Sequence, residues 1–227
     1  MKKAVLLFGI LLLPTLIYIY FALGVPQVRR AAFYGPRAIG PVKNPKTGVI
    51  TQDTVYHSIK PFVCKTHEGF DFSSAKLGGR SYLAVFMHPD SIRAVLPILA
   101  QDLKVNKRTH TYSRFVFFWP EDTLQAAPDL AGQLGLGTDT GYTLVLPPAE
   151  YQAMRDGQYF LPNPTQSKKP YATLSDAVLI DRMGRIRGYY NIRYAADIKK
   201  MKEDLRHVLF RDESVKTIEE TKVEQRR

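Results

Sequence analysis

The run SYLAVFM at residues 81–87 is apolar almost without interruption. A strand that alternates apolar and polar residues covers one face of a sheet. A continuous run belongs in a strand buried on both faces, which requires further layers above and below it. RFVFFW at 114–119 and GYTLVLP at 141–147 read as strands of the same core. Between the first two, SIRAVLPILAQDL at 91–103 sets Ile92, Val95, Leu96 and Leu99 on one helical face, with Asp90 placed to cap it and Pro97 predicting a kink. LQAAPDLAGQLG and PAEYQAMRDGQYF read as short helices, the second running into a turn. FVCKTHEGFDF, with apolar residues alternating about a His-Glu-Gly turn, reads as a small hairpin. DAVLIDRMGRIRGYYN is the strongest hairpin, turning where Gly184 can take a positive φ. AADIKKMKEDLRHVLF follows as an amphipathic helix with Ile198, Met201, Leu205 and Leu209 on its buried side. The pattern is α/β around a mixed central sheet.

Composition fits a folded protein, with 45% hydrophobic and 23% charged residues in a chain of 227. After a three-residue tail, residues 4–24 (AVLLFGILLLPTLIYIYFALG) carry no charge. A helix of about 20 such residues spans about 30 Å, the thickness of a bilayer core. The expectation is an uncleaved transmembrane anchor, kinked at Pro14, with Tyr18 and Tyr20 near an interface. A cleaved signal peptide is the rival, since Ala22 and Gly24 are small. An anchor this close to the N-terminus acts as a signal anchor, so the expected location is the cell inner membrane, single-pass, with the folded part on the periplasmic side. Residues 25–60, rich in Pro, Gly and polar side chains, read as an extended stalk with room for a hairpin near Thr47 and Gly48. The folded domain is expected over 61–210. Residues 211–227, with five basic and five acidic side chains, read as a frayed charged extension. The formal net charge is +11, and Arg29, Arg30, Arg37, Lys43 and Lys46 lie in a stretch without acids that suits anionic headgroups. Elsewhere the signs interleave with no basic stripe beside aromatics, which argues against nucleic acid.

The strand and helix order matches a thioredoxin-like domain. LGGRSYLAVF, WPEDT, AEYQAMRDGQYF and VLIDRMGRIRGYYN, taken in order, resemble the Sco/SenC family, membrane-anchored thioredoxin-fold proteins of cytochrome oxidase assembly. The last segment carries most weight, because such proteins typically have (L/V)(I/V)D-x-x-G-(R/K)-I-R-G-Y-Y there. The resemblance implies a thioredoxin-like domain over most of 61–210, preceded by an N-terminal transmembrane helix. Family function rests on C-x-x-x-C-P after the first core strand and on a histidine ahead of the closing hairpin, a soft set suited to Cu(I). Here the region reads MHPDSIRAVLP, so the two cysteine positions fall at Ser91 and Val95. The histidine position falls around Thr173, and no histidine lies between His110 and His207. The family ligands are vacated, and the expectation is no metal and no cofactor.

Substitutes are few. His88 could meet Met87, Asp90 or His110, which leaves a copper carrier with a non-standard site near His88 as the second reading. Cys64 and His67 form a C-x-x-H pair of two ligands at most, and Cys64 reads as a small buried core residue. One cysteine cannot form an intramolecular disulfide, and none lies near a helix N-terminus where a thiolate would be activated. No Ser/His/Asp set, paired carboxylates or phosphate loop appears, and the expectation is not an enzyme. In WPEDT, Trp119 replaces the first aspartate of the family's D-P-x-x-D-T loop, and Asp122 reads as a loop cap. Asp181 should accept backbone hydrogen bonds at its turn. Arg185, Arg187, Tyr189 and Tyr190 form either an exposed contact surface or a cross-strand cluster. The leading reading is a membrane-anchored, redox-inactive Sco-like scaffold or interaction factor in respiratory oxidase assembly. Its expected partners are membrane lipid and a membrane protein complex, with no nucleic acid.

Overall fold

A computed structural model describes residues 12–14, 18, 31–43, 48–87, 96–100, 113–121, 126–161 and 176–224. Met1–Arg30 and Ala31–Arg227 fall into separate compact units, and the second carries the sheet. The apolar runs become its central strands. The strands are β1 (Arg37–Lys43), β2 (Ile50–Tyr56), β3 (Val63–Thr66), β4 (Asp71–Ser73), β5 (Tyr82–Phe86), β6 (Arg114–Pro120), β7 (Gly141–Leu146), β8 (Ala177–Ile180) and β9 (Ile186–Tyr190). The main sheet has the order β4-β3-β7-β6-β5-β8-β9. β6 pairs in parallel with β5 and with β7, while the flanking pairs are antiparallel, so the sheet is mixed.

Side-chain alternation along the strands divides the core into two layers. Leu83, Val85, Met87, Phe115, Phe117, Trp119 and Leu179 face one side. There they meet Leu130 of α1 (Leu130–Gln133) and Ile198, Met201, Leu205, Val208 and Leu209 of α3 (Ala195–Glu224). Ala84, Phe86, Val116, Phe118, Val178 and Ile180 face the other, covered by Tyr151 of α2 (Pro148–Ala153) and by Met154 and Tyr159 of the π-helical turn that prolongs it. Each fully buried Phe or Leu contributes about 1.5–3 kcal/mol relative to exposure. The helical residues 96–100 add Leu99 to the first layer.

Both expected hairpins form. β3 and β4 turn through Gly69 at φ +87°, and β8 and β9 through Gly184 at φ +75°. α1 is a single turn, shorter than its sequence suggests, set by the Asp129 carboxylate accepting the Gly132 N–H at 2.8 Å. α3 keeps the expected buried face, and its backbone stays helical to Glu224. Residues 37–43 and 50–56, inside the stretch read as a stalk, pair over seven residues as a separate two-stranded ribbon.

The membrane expectations are corrected. Among the described residues no helix is long and apolar enough to cross a membrane. The one 30-residue helix, α3, is broken by charge from Asp197 to Glu224 and cannot serve. Of residues 4–24 only 12–14 and 18 are described, as helix, and the rest of the expected anchor lies outside the described residues. The transmembrane helix ahead of the domain, the lipid and membrane-protein-complex partners, the single-pass inner-membrane location with a periplasmic-facing domain, and the membrane-anchored role in oxidase assembly all depended on that span and are withdrawn.

Candidate functional site

In a mixed α/β sheet, functional groups gather beyond the C-terminal ends of the parallel strands. Here that edge is Met87 after β5 and Trp119 near the end of β6. Met87 is held on both sides. Its N–H donates to the Phe118 carbonyl at 3.0 Å, and its carbonyl accepts the Tyr151 hydroxyl at 3.0 Å. Trp119 is 1% exposed, and its indole N–H finds no acceptor among the described residues. Its described residues are aromatic and apolar. His88, Ser91, Val95, Asp122, His110 and Thr173 lie outside the described residues.

Cys64 lies elsewhere. It sits on β3 opposite Phe72 of β4, buried in the second core layer. Three strand spacings separate β3 from β5 in the sheet order, about 14 Å across the ladder. Burial, reinforced by the negative charge of Glu150, pushes its thiol up to about 12. A thiol so held is neutral at physiological pH and is a poor nucleophile and metal ligand. His67, the other half of the C-x-x-H spacing, lies near carboxylates, with Nε2 3.9 Å from Asp129 and 4.0 Å from Glu68. The copper-carrier alternative is corrected as well. Among the described residues no three His, Cys, Asp or Glu side chains are placed to hold a metal ion.

The sharpest polar constellation surrounds Asp181. As expected, its Oδ1 accepts the N–H groups of Met183 (2.9 Å) and Arg185 (3.0 Å), closing the β8–β9 turn. Its Oδ2 accepts Arg185 Nε at 3.0 Å and Arg187 Nη1 at 3.2 Å. Arg187 is 4% exposed and Tyr190 1%, so these residues do not make an exposed contact surface. The remaining Arg187 nitrogens donate backward across the fold, to the carbonyls of Ala31 (2.6 Å) and Ala32 (3.2 Å). Phe33 then lies against both cations, its ring centroid 4.1 Å from the Arg187 guanidinium carbon and 4.7 Å from that of Arg185. Tyr56 stacks on Phe33 at 4.4 Å, and Arg37 caps Tyr56 at 5.8 Å. A cation–aromatic column thus runs from the buried Asp181 to the exposed base of the ribbon.

Sequence reading missed this column because Phe33, Tyr56 and Arg187 are far apart in the chain. The signal available was the density of aromatics and arginines in AAFYGPR. A second group it missed is the buried pair of Tyr82 and Tyr159, whose hydroxyls lie 3.0 Å apart. Burial raises both well above the ordinary tyrosine value, too far for either to serve as an acid or base near neutrality.

No family model matches the chain, and no curated protein matches it. Among solved structures, a SCO1/SenC family lipoprotein from Bacillus anthracis str. Ames is 16% identical, with a TM-score of 0.51 over 68% of this chain and 96% of that one. A candidate electron transfer protein from Aquifex aeolicus VF5 is 12% identical, with a TM-score of 0.50 over 68% and 94%. At these identities the likeness carries the fold, which is thioredoxin-like with a mixed central sheet.

Proposed function

We propose that the chain is a divergent Sco/SenC-like domain that uses its thioredoxin-type fold for non-covalent binding, without thiol–disulfide exchange or other catalysis. One observation carries this reading. The single thiol, Cys64, is on β3 rather than beyond β5, is buried, and is held protonated. Exchange requires an exposed thiolate and, for turnover, a second sulfur to resolve the mixed disulfide. The chain supplies neither. The rigid, doubly covered sheet remains, and with it a scaffold that holds turns and hairpins in fixed positions.

Thiolate absorbance near 240 nm, recorded against a Cys64→Ser blank, tests this directly. No thiolate should appear below about pH 10. Ionisation with a midpoint near neutrality would show an activated sulfur and defeat the proposal.

A further inference from the structure

The β1–β2 ribbon combines three properties that together describe a docking surface. Two-stranded ribbons are marginal in water without something to pack on, yet this one has Ile39 83% and Ile50 66% exposed. Its register is the second property. Arg37 pairs with Tyr56, Ile39 with Thr54, Pro41 with Gln52 and Lys43 with Ile50, while Gly40 pairs with Asp53. Alternation therefore puts Arg37, Ile39, Ile50 and Tyr56 on one face and Asp53 on the other. The third is charge. Residues 31–60 hold Arg37, Lys43, Lys46 and Lys60 against Asp53 alone. The cation–aromatic column continues the same face to Arg185.

We propose that this face binds an acidic, extended segment of a partner protein. The segment runs along β2, whose outer edge has no strand paired to it among the described residues and contains no proline. Its apolar side chains cover Ile50, and its carboxylates lie toward Arg37, whose guanidinium reaches over Tyr56 of β2. The opposite face, with Asp53, takes its neutral residues. Strand addition supplies the backbone hydrogen bonds and side-chain sign supplies the selectivity. The base is rigid. Tyr34 N–H donates to the Ile186 carbonyl at 3.0 Å, Ile59 N–H to that of Gly184 at 2.8 Å, and Arg187 grips Ala31 and Ala32. This inference rests on the binding role proposed above and names the surface that performs it.

The test uses the full chain and a fluorescein-labelled peptide long enough to span β2, with glutamate and valine taking turns at every second position so that they share one face, and serine at the positions between them. Binding should weaken several-fold between low and physiological salt. It should fall by about tenfold in Arg37→Glu and in Ile50→Asp, each on an exposed side chain and each checked for an unchanged circular dichroism spectrum. A lysine–valine peptide should not bind. Phosphatidylglycerol vesicles and a single-stranded oligonucleotide serve as the competing anionic probes. Absence of peptide binding, binding indifferent to both substitutions, or binding of vesicles or oligonucleotide in place of the peptide would each overturn the assignment. A peptide failure with Cys64 still protonated would remove this surface and leave the thiol-independent reading standing.

Discussion

At the scale of single residues, the fold depends on one buried carboxylate with two unequal arginines. Arg187 is enclosed and makes three hydrogen bonds, while the Arg185 side chain is 30% exposed. Removing one member of a buried pair leaves the other charged and unsolvated, at a cost of about 3–5 kcal/mol, whereas a partly exposed pair is worth about 1 kcal/mol or less. Arg187→Met should therefore destabilise the protein by about 3 kcal/mol in urea unfolding, and Arg185→Met by about 1. Equal losses would show that the two arginines do the same work. Asp181 was legible in the sequence, because an aspartate opening a turn before glycine has few other uses. Arg187 was not legible. A basic residue in a hairpin strand ordinarily faces water, and only the return of residues 31–33 over β9 reverses that.

At the scale of elements, the motif R-G-Y-Y acquires a physical reason. Tyr190 donates its hydroxyl to Asp204 of α3 at 2.8 Å, fastening the helix to the sheet edge. Gly188, two residues earlier and on the same side of β9, lies beneath the Tyr190 ring, and a Cβ there would collide with the Tyr190 hydroxyl and ring carbons. Tyr190→Phe should cost about 1 kcal/mol, one hydrogen bond. Gly188→Ala should cost more, since it displaces the ring as well. An alanine variant as stable as wild type would show that Tyr190 has room to move. α3 makes a second case. Among its described side chains the last buried one is Leu209, and Phe210 is 64% exposed. A chain stopped after Phe210 should keep a midpoint within a few degrees of the full chain. A large drop would place essential packing in the last turns. The hairpins and the buried face of α3 were readable because alternation and a 3.6-residue period are local signals. The ribbon was legible only as room for a hairpin near Thr47 and Gly48, and its length was not, since Pro41, Gly40 and the exposed β-branched residues of 50–56 give the alternation no buried face to report.

At the scale of the whole molecule, the protonated state of Cys64 and the alkaline limit of the fold share a cause. Burial raises Cys64, Tyr82, Tyr151, Tyr159, Tyr189 and Tyr190 above their ordinary values. Above the unfolded values, near 9 for the thiol and 10 for the phenols, the unfolded chain holds fewer protons than the native one. Stability therefore falls as pH rises, by about 1.4 kcal/mol per pH unit for each such group. The melting temperature should be flat from pH 7 to about 8.5 and drop steeply beyond about pH 10. Cys64→Ser should relieve only the early part of that decline. A flat profile to pH 11 would mean that the phenols ionise without unfolding. The mixed sheet and its buried central strands were legible at this scale, since continuous apolar runs admit few arrangements, whereas the strand order was not, because local patterns do not say which strands pair. The site was legible only in part, because its described residues, Met87 and Trp119, are apolar and aromatic and give sequence reasoning no chemistry to recognise.

The central claim, that this thioredoxin-type fold works without its sulfur, is tested most directly by insulin disulfide reduction with dithiothreitol as the electron source. The wild-type chain and Cys64→Ser would be run side by side with a thiol-free blank. Neither protein should accelerate the reaction beyond dithiothreitol alone. Turnover by the wild type that disappears in Cys64→Ser would establish a working thiol and contradict the account.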